Sequence, residues 1–475
     1  MSRARSSAAA LLQRRLRRDS LLASLGAAAR EHRWEVHLVG GGLRDLLTGR
    51  AAHDLDLILG PPVDPVLAWL HRRSSHRPVS FETRILTHRL TIDGRSVDCV
   101  ERAPRSLVRE LGRRDFTVGA IAFDLAAWQV RDPWHGLRDL RLGRLDPPRD
   151  DAFRTDPLRI LRGVRLGLQH PRLRLTRRAI GLMRASVPAL LRVSPERLRD
   201  ELDRILLSPR ASHGIRQLDR LGALSRLFPE LESCRGVIQN RHHHLDVFEH
   251  TLLALHAADH PGALGRGVID PARDAAALSP AGQLTLRWSL LIHDLGKPPT
   301  RTIDAAGQVH FFGHEQRSAQ LVAAIAARFA LSRERQRAIE TVVRQHLRLV
   351  VMPDGCMSDR ALARVIRDVA PHTATLALHA LADKRASRGV SHARTTTRLR
   401  ATAARLLTLQ SEIAARTARG TLVSGRDVME LLGCPPGPQV GSVLAQVEER
   451  RELGELSSRE EALQWIRALS RQQSP

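Results

Sequence analysis

Two carboxylates stand two residues apart in His53-Asp54-Leu55-Asp56-Leu57-Ile58-Leu59. On a strand, Asp54 and Asp56 share one face, while Leu55, Leu57 and Leu59 turn to the other and pack into a core. Like charges that close repel unless a cation bridges them, so the pair calls for magnesium. Just upstream, Leu38-Val39-Gly40-Gly41-Gly42-Leu43-Arg44-Asp45 reads as a strand, a glycine turn and a helix start. Gly40 and Gly41 carry no side chains, so backbone N–H groups can approach a phosphate there, and a helix N-terminus favours negative charge. Farther along come His250, the adjacent pair His293-Asp294, then His314, His346 and Asp383. Neutral imidazoles and carboxylates together bind divalent transition metals well.

The elements that must position these groups change along the chain. Val36–Val39, His53–Leu59, Arg84–Ile92, Ser96–Val100 and Phe116–Phe123 read as strands, and Leu43–Leu47 as a helix. Strands mixed with helices over 31–145 indicate an α/β or α+β domain. After Asp146 the pattern is helical: Leu158–Leu168, Arg177–Ala185, Pro195–Leu207 and Ile215–Leu221 carry apolar residues at three- and four-residue spacing. Ser194-Pro195-Glu196 is a helix start. The Gly-, Pro- and Ala-rich stretch His260–Gly282 reads as a surface loop, and a last helical region runs from Thr395 to Ser470, interrupted at Gly433–Gly437. The first thirty residues read as a flexible or helical basic arm.

Composition bounds the function. The 475 residues carry 75 Lys plus Arg against 50 Asp plus Glu, a formal charge of +25, which attracts polyanions. Almost every basic residue is arginine; the only lysines are Lys297 and Lys384. With no Tyr and 3% aromatics, extensive base stacking on aromatic platforms is excluded, and backbone binding is the expectation. No stretch of about eighteen apolar residues is present, so no membrane helix is expected. The four cysteines, Cys99, Cys234, Cys356 and Cys434, lie far apart with no CxxC, which suits a reducing compartment and predicts a cytoplasmic protein.

Leu38–Gly60 (LVGGGLRDLLTGRAAHDLDLILG) resembles the head motif of class II tRNA nucleotidyltransferases and bacterial poly(A) polymerases. The resemblance implies a polymerase-β-like α/β head in which Gly40, Gly41 and Arg44 hold a triphosphate and Asp54 and Asp56 hold two metals. Further segments match in order. Arg113-Arg114-Asp115-Phe116-Thr117 resembles the family's ribose-recognising RRDFT, which implies nucleotide contacts for Arg114 and Asp115. Just after that segment Gly119 stands where the family usually has the Asn that discriminates the sugar, and Asp132–Leu140 is similar to the hinge segment. Thr155-Asp156-Pro157-Leu158-Arg159-Ile160-Leu161-Arg162 is similar to the base-reading E-D-x-x-R, with Thr155 in place of its Glu; this adds Asp156, Arg159 and Arg162 to the nucleotide site. Asp156 and Arg159, three apart at a helix start, project from one face; Asp accepts from an exocyclic amine and Arg donates to ring acceptors, which reads C and A. Asp98, where the family often has a strand carboxylate, is a metal ligand, a base or a structural acid.

The H…HD…H…H…D order of His250, His293, Asp294, His314, His346 and Asp383 resembles the HD superfamily of metal-dependent phosphohydrolases, which implies a divalent transition metal, with Lys297 near the anionic group. The run His242-His243-His244 offers one more ligand or a solvent-facing turn. The expected chain is therefore α+β: a basic arm (1–30), a nucleotidyltransferase head (31–145), a helical neck (146–231), an HD domain (232–394) and a helical tail (395–475). Tail arginines Arg398, Arg400, Arg405, Arg416 and Arg419 are candidates to grip an RNA body. The expected activity is addition of CCA, or part of it, to tRNA 3′ ends from CTP and ATP with Mg2+. The alternatives are a poly(A) polymerase, an HD phosphohydrolase with an RNA-tethering head, and a non-catalytic RNA binder.

Overall fold

A computed structural model describes residues 12–52, 54–77, 79–82, 86–102, 106–239, 245–350, 357–387 and 392–473. His53, the run His242–His244 and Cys356 fall outside them. The chain divides into two compact units, Met1–Leu202 with Gln217–Leu227, and Asp203–Arg216 with Phe228–Pro475.

The first unit is built on a seven-stranded sheet: β1 (Val36–Val39), β2 (Asp54–Leu59), β3 (Val79–Glu82), β4 (Leu86–Ile92), β5 (Arg95–Glu101), β6 (Ala122–Asp124) and β7 (Gln129–Arg131). Their order is β3-β4-β5-β2-β1-β6-β7, and every pair is antiparallel except β2 with β5. In that parallel pair Asp56 lies opposite Asp98, while Val39 of β1 flanks Asp56 and Arg89 of β4 flanks Asp98. Alternation along β2 sends Leu55, Leu57 and Leu59 into one core, shared with Leu38, Leu90 and Val97.

That same core contains Leu12, Leu16, Leu21, Leu22 and Leu25. The segment expected as a basic arm is therefore, from residue 12 on, helical structure packed into the head. Its helix Ser20–Glu31 starts at Asp19, whose carboxylate accepts from the Leu22 N–H at 3.1 Å and pairs with Arg95 of β5. Two further readings need correction. The helix read as Leu43–Leu47 begins at Gly40 and runs to Thr48. Phe116–Phe123 is not one strand: Thr117–Gly119 forms a 3-10 turn, held by the Thr117 hydroxyl donating to Asp139 at 2.7 Å, and the strand spans only Ala122–Asp124. Gly136 is required beside that turn, because a Cβ there would stand 2.1 Å from the Thr117 carbonyl oxygen.

The rest of the chain is almost all helix, as its apolar spacing predicts. Helices Arg159–Gln169, Arg177–Ser186 and Pro195–Leu206 follow the head. In the second unit, Val247–Ala257, Pro280–Ile292, His314–Arg328, Arg333–Gln345 and Thr373–Ala386 carry the His and Asp series on their turns or just past their ends. The stretch read as a surface loop, His260–Gly282, instead contributes Leu264, Val268 and Ala277 to the unit's main core and holds short helices Pro261–Leu264 and Ala275–Leu278. Small residues let the backbone pack closely there: a Cβ on Gly282 would meet the Ala276 carbonyl at 2.2 Å. The tail is helix His392–Thr417 followed by Gly425–Leu432, Pro438–Glu452 and Arg459–Gln473, and the last three enclose a separate small core around Val428, Val443 and Ile466.

Leu22→Ala tests the packed N-terminal segment. An arm would tolerate the change; this fully buried side chain predicts a loss of about 2–5 kcal/mol, read from denaturant-induced unfolding.

Candidate active sites

The first site grows from the parallel pairing of β2 and β5. Because these strands are in register at Asp56 and Asp98, and Asp54 lies two residues earlier on β2, three acids cluster at one place on the sheet. Asp56 is pressed against the glycine turn: a Cβ on Gly40, whose φ is +77°, would stand 2.1 Å from Asp56 Oδ2. Only glycine allows both that conformation and that contact. The Gly41 N–H donates to the Asp56 carboxylate. Arg44 Nη2 lies 3.6 Å from where a Gly41 Cβ would be, and Asp45 holds its guanidinium at 3.1 Å.

Burial first, then the charges of Asp98 and Asp54, push the Asp56 carboxyl above its usual range; Arg114 and the Gly41 N–H partly offset this. Three crowded carboxylates, open to solvent at Asp54 and partly buried at Asp56 and Asp98, fit a hard divalent cation such as magnesium. Asp98 is also held bidentately by Arg89, at 2.7 Å on each oxygen. This partner was missed in the sequence, since nothing in the spacing ties Arg89 to Asp98; their pairing across β4 and β5 does.

The base-reading set differs in detail from expectation. Asp156 does not open a helix; it closes the short helix Ala152–Thr155, and the next one starts at Arg159. The two side chains still converge, Arg159 Nε lying 3.9 Å from Asp156 Oδ2. Arg197, from helix Pro195–Leu206, reaches both Asp156 oxygens at 3.3 Å. Arg159 also donates to the Ala152 carbonyl at 3.0 Å. Arg162, by contrast, pairs with the buried Glu201 at 3.2 Å, beside Arg165. Asp115 accepts from the Phe116 N–H at 3.0 Å. Arg159 and Thr155 line a cleft of about 370 Å³ together with Arg109, Arg113 and Arg149, within the size range of small-ligand pockets.

The second site lies in the helical unit. His250, His293, Asp294, His314, His346 and Asp383 are all buried. His250, His293 and Asp383 bring one ligand atom each within 4.8 Å of one another, and so do Asp294, His314 and His346. Asp294 joins the triads: Oδ2 is 3.1 Å from His293 Nε2, and Oδ1 is 3.4 Å from His314 Nε2. His250 Nε2 is 2.8 Å from Asp383 Oδ1. The Nδ1 atoms of His293, His314 and His346 each meet the backbone carbonyl three residues earlier, at 2.9, 2.7 and 2.6 Å. A carbonyl only accepts, so each Nδ1 carries a proton, and in the neutral ring the Nε2 lone pair is the one left for a metal. His293 Nε2 and His314 Nε2 make no hydrogen bond among the described residues despite their nearby carboxylates. Two buried triads of close ligand atoms are what a metal centre needs, and the imidazole–carboxylate mixture suits a borderline transition metal.

Burial and the neighbouring His293 and His314 push His346 down to about 3, which keeps it neutral. Lys297 is not turned to a free anion: its buried ammonium donates to Asp294 Oδ2 and Gln239 Oε1, both at 2.7 Å. Tail arginines are also engaged within the chain. Arg405 pairs with Asp359 and Glu412, Arg416 with Glu412, and Arg400 with the carbonyls of Leu264 and Arg266. Arg398 and Arg419 are exposed. A more strongly basic surface lies in the first unit, where exposed Arg144, Arg172, Arg174, Arg177 and Arg178 line a shallow concavity.

Comparison with known proteins follows the same division. Family models described as poly A polymerase head domain, probable RNA and SrmB-binding site of polymerase A, and HD domain match residues 36–146, 174–235 and 247–387. The chain is 33% identical over 438 residues to an A-adding tRNA nucleotidyltransferase of Deinococcus radiodurans, covering 90% of this chain and 94% of that one. It is 32% identical over 436 residues to a CC-adding tRNA nucleotidyltransferase of Thermus thermophilus, covering 89% and 91%. Among solved structures, a Thermotoga maritima CCA-adding enzyme complexed with tRNA aligns with a TM-score of 0.62 at 19% identity, over 94% of each chain. A CCA-adding enzyme in complex with ATP aligns at 0.65 and 20%, over 94% of this chain and 93% of that one. These structural likenesses establish the shared fold.

The raised Asp56 group has a testable sign. Its folded form resists ionisation, so it opposes folding above the ordinary carboxyl range and ceases to do so as pH falls below that range. In chelator at pH 7–8, Asp56→Asn is expected to raise Tm above wild type, with the gap closing toward pH 4; thermal unfolding across pH measures it.

Proposed function

Because this chain belongs to the tRNA nucleotidyltransferase and poly(A) polymerase family and carries an HD domain, we propose that it adds CCA, or part of it, to tRNA 3′ ends from CTP and ATP. The observation carrying this reading is the row of acids formed where Asp56 meets Asp98 beside Asp54, backed by Gly40 and Gly41. Asp54, Asp56 and Asp98 would hold magnesium, which when bound lowers the pKa of the RNA 3′-hydroxyl and neutralises charge on the triphosphate. The 3′-hydroxyl releases its proton to solvent as its oxygen attacks the α-phosphorus, the bond from that phosphorus to the α–β bridging oxygen breaks, and pyrophosphate leaves. Gly41 fixes Asp56 through its N–H, and Arg44 and Arg114 supply positive charge beside the turn and the acids. Arg89, by holding both oxygens of Asp98, fixes that carboxylate's orientation beside Asp56.

Asp156 and Arg159 read the base, and Arg197 orients Asp156 from the following helix. Arg162, committed to Glu201, holds the helices together instead of touching nucleotide. The RNA backbone is taken up on the arginine concavity around Arg172 and Arg177. The HD cluster is a second active centre, a metal-dependent phosphohydrolase, supported by the convergence of six buried ligands. The relatives' printed activities, A addition and CC addition, make partial addition part of the proposal.

Purified protein offered tRNAs ending before CCA, after C and after CC, with each nucleotide in turn, decides which residues are added. Asp54→Ala is expected to abolish incorporation, while His293→Ala retains it and loses phosphoester hydrolysis; incorporation by Asp54→Ala would refute the assignment. Arg172→Ala and Arg177→Ala are each expected to weaken tRNA binding and lower the slope of log K against log salt by about 1, as read by titration at several salt concentrations.

A further inference from the structure

One buried group of the second centre has no place in the ligand set above. His379 is fully buried on helix Thr373–Ala386, and neither ring nitrogen has a hydrogen-bond partner among the described residues. Structures rarely leave such groups unmade, since burying an unpartnered polar atom is costly. Its ring meets His293 edge-on, with centroids 5.1 Å apart and planes at 80°, and lies 5.6 Å from His346. It therefore touches one imidazole from each triad. It also precedes Asp383 by four residues on one helix, the spacing that puts both side chains on the same face and lets a helix present two ligands to one ion. Unlike the Nδ1 atoms of His293, His314 and His346, neither of its nitrogens is tied to a carbonyl, so either can serve as donor atom.

We propose that His379 is an additional metal ligand of this centre, serving the ion held by His250, His293 and Asp383. The inference rests on reading the cluster as a metal site. With His379 the set becomes three imidazoles and a carboxylate, which favours cobalt, nickel or zinc over magnesium.

The test uses the full chain, stripped with chelator, in an Asp54→Ala, Asp56→Asn background so that the head retains only one of its three acids. Cobalt(II) is titrated while visible absorption and calorimetry are followed. His379→Phe keeps a packed ring without nitrogen and is expected to show a Tm in chelator no lower than the parent's, to bind cobalt at least about tenfold more weakly and to shift the visible bands. Should the phenylalanine variant not fold, His379→Gln carries the same comparison. Unchanged affinity and bands in either folded variant overturn the assignment of His379 alone. Absence of cobalt uptake by the parent overturns the metal reading of the whole cluster with it.

Discussion

Mutual repulsion between neighbouring carboxylates is the constraint around which the head is arranged. Pairing β2 parallel to β5 sets Asp56 against Asp98, and the alternation of β2 adds Asp54. The surroundings temper that repulsion without removing it. Arg89 clamps Asp98 from the neighbouring strand, Gly41 offers Asp56 one N–H, and Gly40 gives way so that the carboxylate sits against bare backbone. What is left over, chiefly the cost of burying Asp56 and then its acidic neighbours, is what a bound divalent cation would offset. The leucines on the opposite face of β2 hold the strand in place against it, and the N-terminal helices close that core.

The buried cluster of the helical unit meets the same difficulty by mixing imidazoles with its carboxylates. Imidazoles share the work with two carboxylates, and helix ends position them: His293 follows helix Pro280–Ile292, His314 opens the next long helix, and His346 follows Arg333–Gln345. At such ends a carbonyl is within reach of Nδ1, so the backbone itself selects the tautomer. His250 and Asp383 are instead mid-helix and meet each other across the packing of their two helices.

Much of this was legible in the chain because it is local. The alternation around Asp54 and Asp56, the glycine turn and the spaced His and Asp residues all announce themselves within a few residues. What was not legible depends on strand register or helix packing. The Arg89–Asp98 clamp requires knowing that β4 pairs with β5, and Arg197 on Asp156 requires the fold of the neck. Phe116–Phe123 has the composition of a strand, yet the close approach at Gly136 and the Asp139 hydrogen bond favour a turn. His260–Gly282 looked like a loop because small residues are ambiguous between flexible surface and tight packing; its buried leucine and valine decided for packing. His379 did carry a signal, its four-residue spacing from Asp383, but that spacing is common on any helix.

The scarcity of lysine acquires meaning in the fold. Of 75 basic residues only Lys297 and Lys384 are lysines, and they adjoin Asp294 and Asp383, the two acids of the helical centre. A compact ammonium fits where Lys297 bridges Asp294 and Gln239 at 2.7 Å; a planar guanidinium needs more room. Lys297 is sealed in, whereas Lys384 is half-buried. Amine-directed reagents thus find a single side-chain handle on the protein, and it sits one residue from Asp383, so a fluorophore attached there becomes a reporter at the threshold of that centre.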